Sequence, residues 1–75
     1  MTEEYQTSDF WLAAFLKASG MKIITIRKNC GRSTFVFEHH DNREQLVRDF
    51  YNDGLIRVNA MKNAAQDLKS MIHNP

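Results

Sequence analysis

Apolar residues recur along the chain with two different periods, and the changes between these periods divide the sequence into elements. Between residues 8 and 19, side chains such as Leu12, Phe15 and Leu16 recur at helical spacing after a run of polar residues able to cap a helix. Gly20 follows, and glycine commonly adopts the left-handed conformation that closes a helix. This pattern predicts a first helix over residues 8–19.

Alternation with a period of two replaces the helical pattern after this glycine. Residues 21–28 are rich in β-branched side chains, with Ile24 and Ile26 on one face. Residues 33–39 alternate in the same way, with both phenylalanines of that run on one face. A short glycine-bearing turn separates the two runs, which predicts a β-hairpin. We expect the two isoleucines to pack on the same side of the hairpin as the two phenylalanines.

Helical periodicity returns in the second half of the chain. Asp41 begins an acidic variant of the capping box, and the helix that it starts is expected to end near Gly54. Residues 55–58 are apolar and β-branched, which predicts a short third strand, and Asn59 can cap a last helix. The apolar stripe of that last helix is narrow and consists of Met61, Ala64, Ala65, Leu68, Met71 and Ile72.

The predicted order of elements is α-β-β-α-β-α. The second helix connects the second strand to the third, which we expect to lie beside the first strand. The fold class is therefore α+β, with a three-stranded antiparallel sheet in the order 2-1-3 and three helices. We expect residues 1–75 to form a single domain in which residues 1–7 are disordered. The sheet face that the helices leave open is where we expect function.

The composition is that of a small globular domain. The chain has 75 residues, of which 43% are hydrophobic and 25% charged, so it can build one core with a small stability margin. A single cysteine excludes an internal disulfide and a multi-cysteine zinc site. No apolar run approaches the roughly 18 residues of a membrane span, and the acidic N-terminus is unlike a secretory signal. We expect a cytoplasmic protein without membrane association.

Positive charge is concentrated in the predicted hairpin although the formal net charge is only +1. Lys22 and Lys28 share one face of the first predicted strand, Arg27 lies on the other, and Arg32 lies at the turn. Such a hairpin is able to contact nucleic-acid phosphates. The alternative interpretation is a solvated edge whose lysines discourage strand pairing between molecules. A dedicated nucleic-acid binder carries more positive charge, which favours this alternative.

The other candidate chemical groups lack the partners that their chemistry needs. His39 and His40 are adjacent on a strand and point to opposite faces, so they are poorly placed to share an ion. Cys30 has basic neighbours that favour a thiolate, but no general base or oxyanion site accompanies it. Chains of this length rarely enclose the pocket of several hundred Å³ that small-molecule sites need. We predict no enzyme activity, no catalytic residue, no metal, no cofactor and no small-molecule substrate.

Trp11 has two interpretations, as a core anchor or as an exposed contact. Because large aromatic residues dominate small cores, we expect it in the core. Met61 and Met71 could form an adaptable binding stripe, but their spacing beside Leu68 and Ile72 favours the core as well.

Short motifs spread over nearly the whole chain resemble a known family. They are Thr7-Ser8-Asp9, Ala13-Ala14-x-Leu16 up to Gly20, Phe35-Val36-Phe37, Tyr51, Val58 and Leu68-Lys69-Ser70-x-Ile72. The chain resembles a family of small stand-alone bacterial and phage-associated proteins classed as a domain of unknown function. The resemblance implies a compact protein of one domain and brings no activity, cofactor or site residue.

The predicted order helix-strand-strand-helix-strand is also similar to an RNA-recognition motif that lacks its first strand. In the second predicted strand, however, Ser33 and Thr34 stand where that motif needs glycine and an aromatic ring. We therefore do not expect an RNA-recognition motif.

Together these observations predict a non-catalytic protein-interaction or accessory module. We expect it to act through an exposed sheet face on a protein partner, or through self-association as a homodimer. The alternative is weak nucleic-acid binding through Lys22, Arg27, Lys28 and Arg32.

Overall fold

Within residues 4–73 the fold consists of three helices and one antiparallel sheet of three strands. The computed structural model describes residues 4–73. In chain order the elements are β1 (Tyr5–Thr7), α1 (Phe10–Ala18), β2 (Ile23–Asn29), β3 (Arg32–Phe37), α2 (Arg43–Tyr51) and α3 (Val58–His73). The predicted α+β class, with a three-stranded antiparallel sheet and three helices, is confirmed.

The third strand comes from the N-terminal segment and not from residues 55–58. Residues 55–57 form a loop and Val58 already belongs to α3, whereas β1 pairs with β3 from Tyr5↔Phe37 to Thr7↔Phe35. The elements therefore follow the order β-α-β-β-α-α. The expectation of disorder over residues 1–7 is wrong for Tyr5–Thr7, while residues 1–3 lie outside the described part of the chain.

The strand order β1-β3-β2 makes β3 the central strand. The predicted order had the first hairpin strand at the centre. The physical reason is the burial of three consecutive residues of β3, since Phe35, Val36 and Phe37 are all at most 2% exposed. Phe35 and Phe37 belong to the core, whereas Val36 lies on the other side of the sheet and is covered by the flanking strands, of which β1 is the second.

The predicted hairpin is confirmed, with β2 and β3 paired from Ile23↔Phe37 to Asn29↔Arg32. Its two-residue loop is Cys30-Gly31, and both residues have positive φ, of 52° and 80°. Positive φ at both central residues is typical of a type I′ turn, which matches the twist of the flanking strands.

A β-bulge in β2 changes which isoleucines face the core. The pairing shifts between Ile23 and Thr25, so that Ile24 is the extra residue. Ile23 and Ile26 pack against the core, while Ile24 is 47% exposed. The prediction for Ile26 is confirmed and that for Ile24 is wrong, because strict alternation does not continue through a bulge.

Helix α1 contributes more buried core residues than any other element. Its N-cap is Asp9, whose carboxylate accepts hydrogen bonds from the backbone N–H groups of Trp11 and Leu12. The five residues from Leu12 to Leu16 are buried, and they pack with Phe35 and Phe37 of the sheet and with α3. The predicted first helix is thus confirmed, with its boundaries one or two residues shorter at each end.

The predicted caps of the other two helices are wrong. The N-cap of α2 is Asn42, and Asp41 instead contacts His39. Helix α3 begins at Val58, which places Asn59 inside it. At the end of α2, Asp53 has φ of 59° and the Gly54 N–H donates to the Asp49 carbonyl, the geometry of a Schellman motif.

Candidate functional site

Trp11 lies in the first turn of α1, and its side chain is on the surface. It is 55% exposed, so the prediction that it anchors the core is wrong. Its neighbour Phe10 takes the inner position, with its ring centroid 6.2 Å from that of Phe35. The Trp11 ring packs edge-to-face on Phe10 at 5.1 Å, which fixes the indole at the rim of the core instead of inside it.

A groove of about 570 Å³ lies between Trp11 and helix α3. We call it the α1–α3 groove. Its apolar lining residues are Trp11, Ile56, Val58, Met61 and Ala65, and its polar ones are Lys62, Gln66 and Lys69. The groove lies open between two elements, so the expectation that a chain of this length rarely encloses a pocket of several hundred Å³ stays a prediction.

Three stripes of helix α3 have different surroundings. Ala64 and Leu68 are buried against α1 and the sheet. Val58, Met61 and Ala65, spaced by three and four residues, form a second stripe that lines the groove. The third stripe, at the same helical spacing, consists of Lys62, Gln66 and Lys69 and also lines the groove. One wall of the groove therefore passes from apolar to basic across the helix surface.

The loop between α2 and α3 adds exposed apolar surface beside the groove. Ile56 packs partly against the core and lines the groove, whereas the adjacent Leu55 is 99% exposed and Val58 is 80% exposed. Large apolar side chains that are exposed next to one another on a small protein typically mark a contact surface.

The four basic residues predicted for nucleic-acid contact do not share one face. Lys28 pairs with Ser33 and lies two residues after Ile26, so it is on the face of the sheet on which the pair Ile26↔Phe35 packs against the core. Its ammonium group donates a hydrogen bond to the Ile72 carbonyl near the end of α3. Lys28 therefore completes a helix C-terminus, where a cation interacts favourably with the exposed carbonyls.

The other three basic residues lie on the open side of the sheet. Arg27 pairs with Thr34, and Arg32 lies two residues before Thr34 on β3, so both arginines are on the same face of the sheet. Lys22 precedes β2, and its carbonyl accepts a hydrogen bond from the Glu38 N–H at 2.9 Å. The bulge lies between Lys22 and Lys28 along the chain. The predicted common face of Lys22 and Lys28 is thus wrong, because the bulge reverses their relative orientation.

The histidines and the cysteine occupy local structural positions. The His39 ring lies 3.3 Å from an Asp41 carboxylate oxygen, and His40 Nδ1 accepts from the Asn42 N–H at 3.1 Å. Within residues 4–73 no three His, Cys, Asp or Glu side chains are grouped closely enough to hold a metal ion. Cys30 is exposed at the tip of the hairpin.

A smaller cleft of about 320 Å³ lies between β1 and α2. The Arg43 guanidinium carbon lies 5.2 Å from the centre of the Tyr5 ring, within the range of a cation–π contact. Burial raises the pKa of the Tyr5 phenol above its usual value of 10.0. Because Glu44 and Arg48 also line this cleft, its charge is mixed.

Comparison with known proteins gives a family without an assigned activity. A family model described as Domain of unknown function (DUF5659) matches residues 2–74, which is nearly the whole chain. The chain belongs to this family. No curated protein and no solved structure matches it. In the part of the chain that the structure describes, we find no helix with the length and apolar character that crossing a bilayer requires.

Proposed function

We propose that this member of the DUF5659 family is a non-catalytic protein-interaction module that binds an apolar segment of a partner protein in the α1–α3 groove. The observation that carries the proposal is the exposure of Trp11 and Val58, at 55% and 80%, in one groove of about 570 Å³. Aromatic residues with a fixed orientation are typical energetic centres of protein interfaces.

The fixed position of Trp11 supports this proposal. Its ring packs against Phe10, which packs in turn against the buried Phe35, so the indole is held before a partner arrives. A preorganised aromatic side chain loses little conformational freedom on binding, which favours affinity. Met61 in the same groove is flexible and polarizable and can adapt its shape to a bound side chain.

The groove is a better candidate surface than the open sheet face, where the sequence predicts the partner. The exposed positions of that face are largely polar, with Gln6, Thr25, Arg27 and Arg32 among them, and Val36 is only 1% exposed. Ile24 at the bulge of β2 is 47% exposed, whereas Trp11 and Val58, at 55% and 80%, lie together at the groove.

A peptide-display selection tests the proposal. Peptides selected on the wild-type protein are expected to lose affinity for Trp11→Ala and for Val58→Ser, measured by fluorescence anisotropy. Tyr51→Ala is the matched control, since Tyr51 is 64% exposed and is not among the lining residues of the groove. Selected peptides whose affinity is unchanged by both groove variants would contradict the proposal.

The second candidate function is weak nucleic-acid binding through the open sheet face. It is supported by Arg27 and Arg32, which lie on that face at diagonal positions of neighbouring strands. This candidate predicts that binding of short DNA or RNA weakens steeply with salt. It also predicts loss of binding in the double variant Arg27→Gln/Arg32→Gln, and retention in Lys62→Gln/Lys69→Gln. Equal affinity in all three proteins would exclude the sheet face as the site.

A further inference from the structure

We infer that the occupant of the α1–α3 groove is an amphipathic helix whose apolar stripe is flanked by acidic residues. This inference rests on the proposed function, because it names the class of partner for the same groove. Two independent features carry it, namely the backbone that forms the groove and the charge along one of its walls.

The backbone of the groove favours a helical occupant. The lining residues come from α1, from α3 and from the loop residue Ile56, and no strand contributes. The N–H and C=O groups inside a helix already bond one another, so these walls offer no row of free partners to an extended peptide. An extended segment would leave its own polar backbone groups unpaired against apolar side chains, whereas a helix pairs them internally.

The charge of the groove favours acidic flanks. Of the lining residues two are lysines, Lys62 and Lys69, and none is acidic. Within residues 4–73 neither lysine forms an ion pair, although Lys69 Nζ lies 6.0 Å from the centre of the Phe10 ring; Lys17, by contrast, lies 3.6 Å from Asp67. The two lysines are seven residues apart, which corresponds to about 10.5 Å along a helix axis. Carboxylates seven residues apart on a second helix match that separation.

A second copy of this chain fits the groove less well. A two-fold symmetric contact would use the same patch on both molecules, so each would bring Lys62 and Lys69 to the interface. Like charges brought together at an interface oppose association. The carboxylates of a partner with acidic flanks would instead be attracted to the same two lysines.

Three matched peptides test the inference on the full chain. All are capped helices of about sixteen residues with the same leucine stripe. One carries glutamate on both flanks, one carries lysine there, and one keeps the glutamates but has a central proline that breaks the helix. We expect the glutamate peptide to bind about ten-fold more tightly than the lysine peptide at low salt, and this preference to decrease as salt rises.

Two double variants show where the charge acts. Lys62→Gln/Lys69→Gln should remove the preference between the glutamate and lysine peptides, while Arg27→Gln/Arg32→Gln should keep it. The proline peptide should bind at least about ten-fold more weakly than its unbroken counterpart, since it loses the helical arrangement of its leucines.

Each failure has a distinct meaning. If none of the three peptides binds but display-selected peptides bind in a way that depends on Trp11, this inference is overturned and the proposed function stands; if neither set binds through Trp11, both are overturned. If the glutamate and lysine peptides bind equally well and depend on Trp11, the groove stands as a binding site and the acidic partner is overturned. If the proline peptide binds as well as the others, the helical occupant is overturned. If sedimentation shows a dimer that Val58→Ser dissociates, the occupant is a second copy of the chain.

Discussion

Replacing Trp11 by alanine separates the contribution of this residue to folding from its contribution to binding. Trp11 is 55% exposed. With about 250 Å² for a tryptophan side chain, the fold hides about 110 Å² of it and leaves about 140 Å² for a partner. At about 25 cal/mol per Å², the hidden part contributes about 3 kcal/mol at most. Because alanine retains some of that area, we expect Trp11→Ala to lower the free energy of unfolding by about 2 kcal/mol.

Leu16→Ala is the reference variant for this measurement. Leu16 is 0% exposed in the same helix, and truncation of a buried leucine costs about 3 to 5 kcal/mol. Urea unfolding followed by far-ultraviolet circular dichroism compares the two variants without relying on tryptophan emission. If Trp11→Ala destabilises the domain as much as Leu16→Ala does, the indole belongs to the core and the description of the groove is wrong.

We expect Trp11→Ala to weaken peptide binding strongly. Burying the remaining 140 Å² or so of Trp11 in a complex contributes about 3.5 kcal/mol at most. Because alanine retains some of that area, we expect a loss of about 3 kcal/mol, which corresponds to roughly a hundred-fold in Kd. Trp11→Ala is therefore expected to weaken a groove-binding peptide by that factor, whereas Tyr51→Ala leaves the affinity unchanged. A loss of less than about three-fold for Trp11→Ala would refute the role of the indole as the energetic centre.

Three further predictions concern residues that stabilise the fold. Asp53→Gly should raise the free energy of unfolding by about 1 kcal/mol because it relieves a positive φ. Gly54→Ala should lower it by about 1 to 3 kcal/mol, because a Cβ there would lie 2.7 Å from the Asp49 carbonyl oxygen. Urea unfolding measures both changes, and changes of the same sign would contradict this description of the turn. Lys28→Gln should lower the free energy of unfolding by about 0.3 to 1 kcal/mol, because it loses the hydrogen bond to the Ile72 carbonyl of α3. Arg27→Gln should change it by less than about 0.5 kcal/mol. Equal melting temperatures for the two variants would contradict this difference. Because burial raises the pKa of Tyr5, the unfolded chain releases the phenol proton at a lower pH than the folded chain, so the free energy of unfolding should fall as pH rises above 10.0. Tyr5→Phe should remove this part of the decline in melts recorded at different pH values. An unchanged decline would assign it to other groups.

Several elements of the fold could be predicted from local sequence alone. The first helix, with polar caps before its apolar stripe, and the hairpin, with its glycine-bearing turn, depend on interactions between near neighbours in the chain. Their presence and type were predicted, and the α+β class follows from them. The last helix was also predicted, because the apolar stripe containing Ala64 and Leu68 keeps its period over several turns.

The identity of the third strand depends on tertiary contacts. Leu55-Ile56-Arg57-Val58 has the composition of a strand, but residues 55–57 form a loop that pairs with no strand of the sheet, and Leu55 stays exposed. Tyr5–Thr7 is only three residues long and gains its structure from pairing with β3. The consecutive apolar residues Phe35, Val36 and Phe37 are the available signal, because a strand with apolar residues on both faces is favoured at the centre of a sheet, where flanking strands cover it.

The candidate site was not predicted because it depends on side-chain exposure. Trp11 and Met61 were assigned to the core from their residue types and helical spacing, and neither property distinguishes the middle of a core from its rim. The basic hairpin was recognised from sequence, but the bulge at Ile24 and the contact of Lys28 with α3 divide its charges between two faces. Bulges and long-range contacts of this kind leave no periodic signal in a sequence.

The most direct test of the α1–α3 groove is a map of amide and indole chemical shifts in labelled protein titrated with the glutamate-flanked peptide. The proposal predicts that the largest shifts occur at the Trp11 indole N–H and at Val58, Met61 and Lys69, while Arg27 and Arg32 remain unchanged. Shifts confined to the β2–β3 hairpin, or saturable binding without any shift at Trp11, would contradict the central claim that the groove is the binding surface.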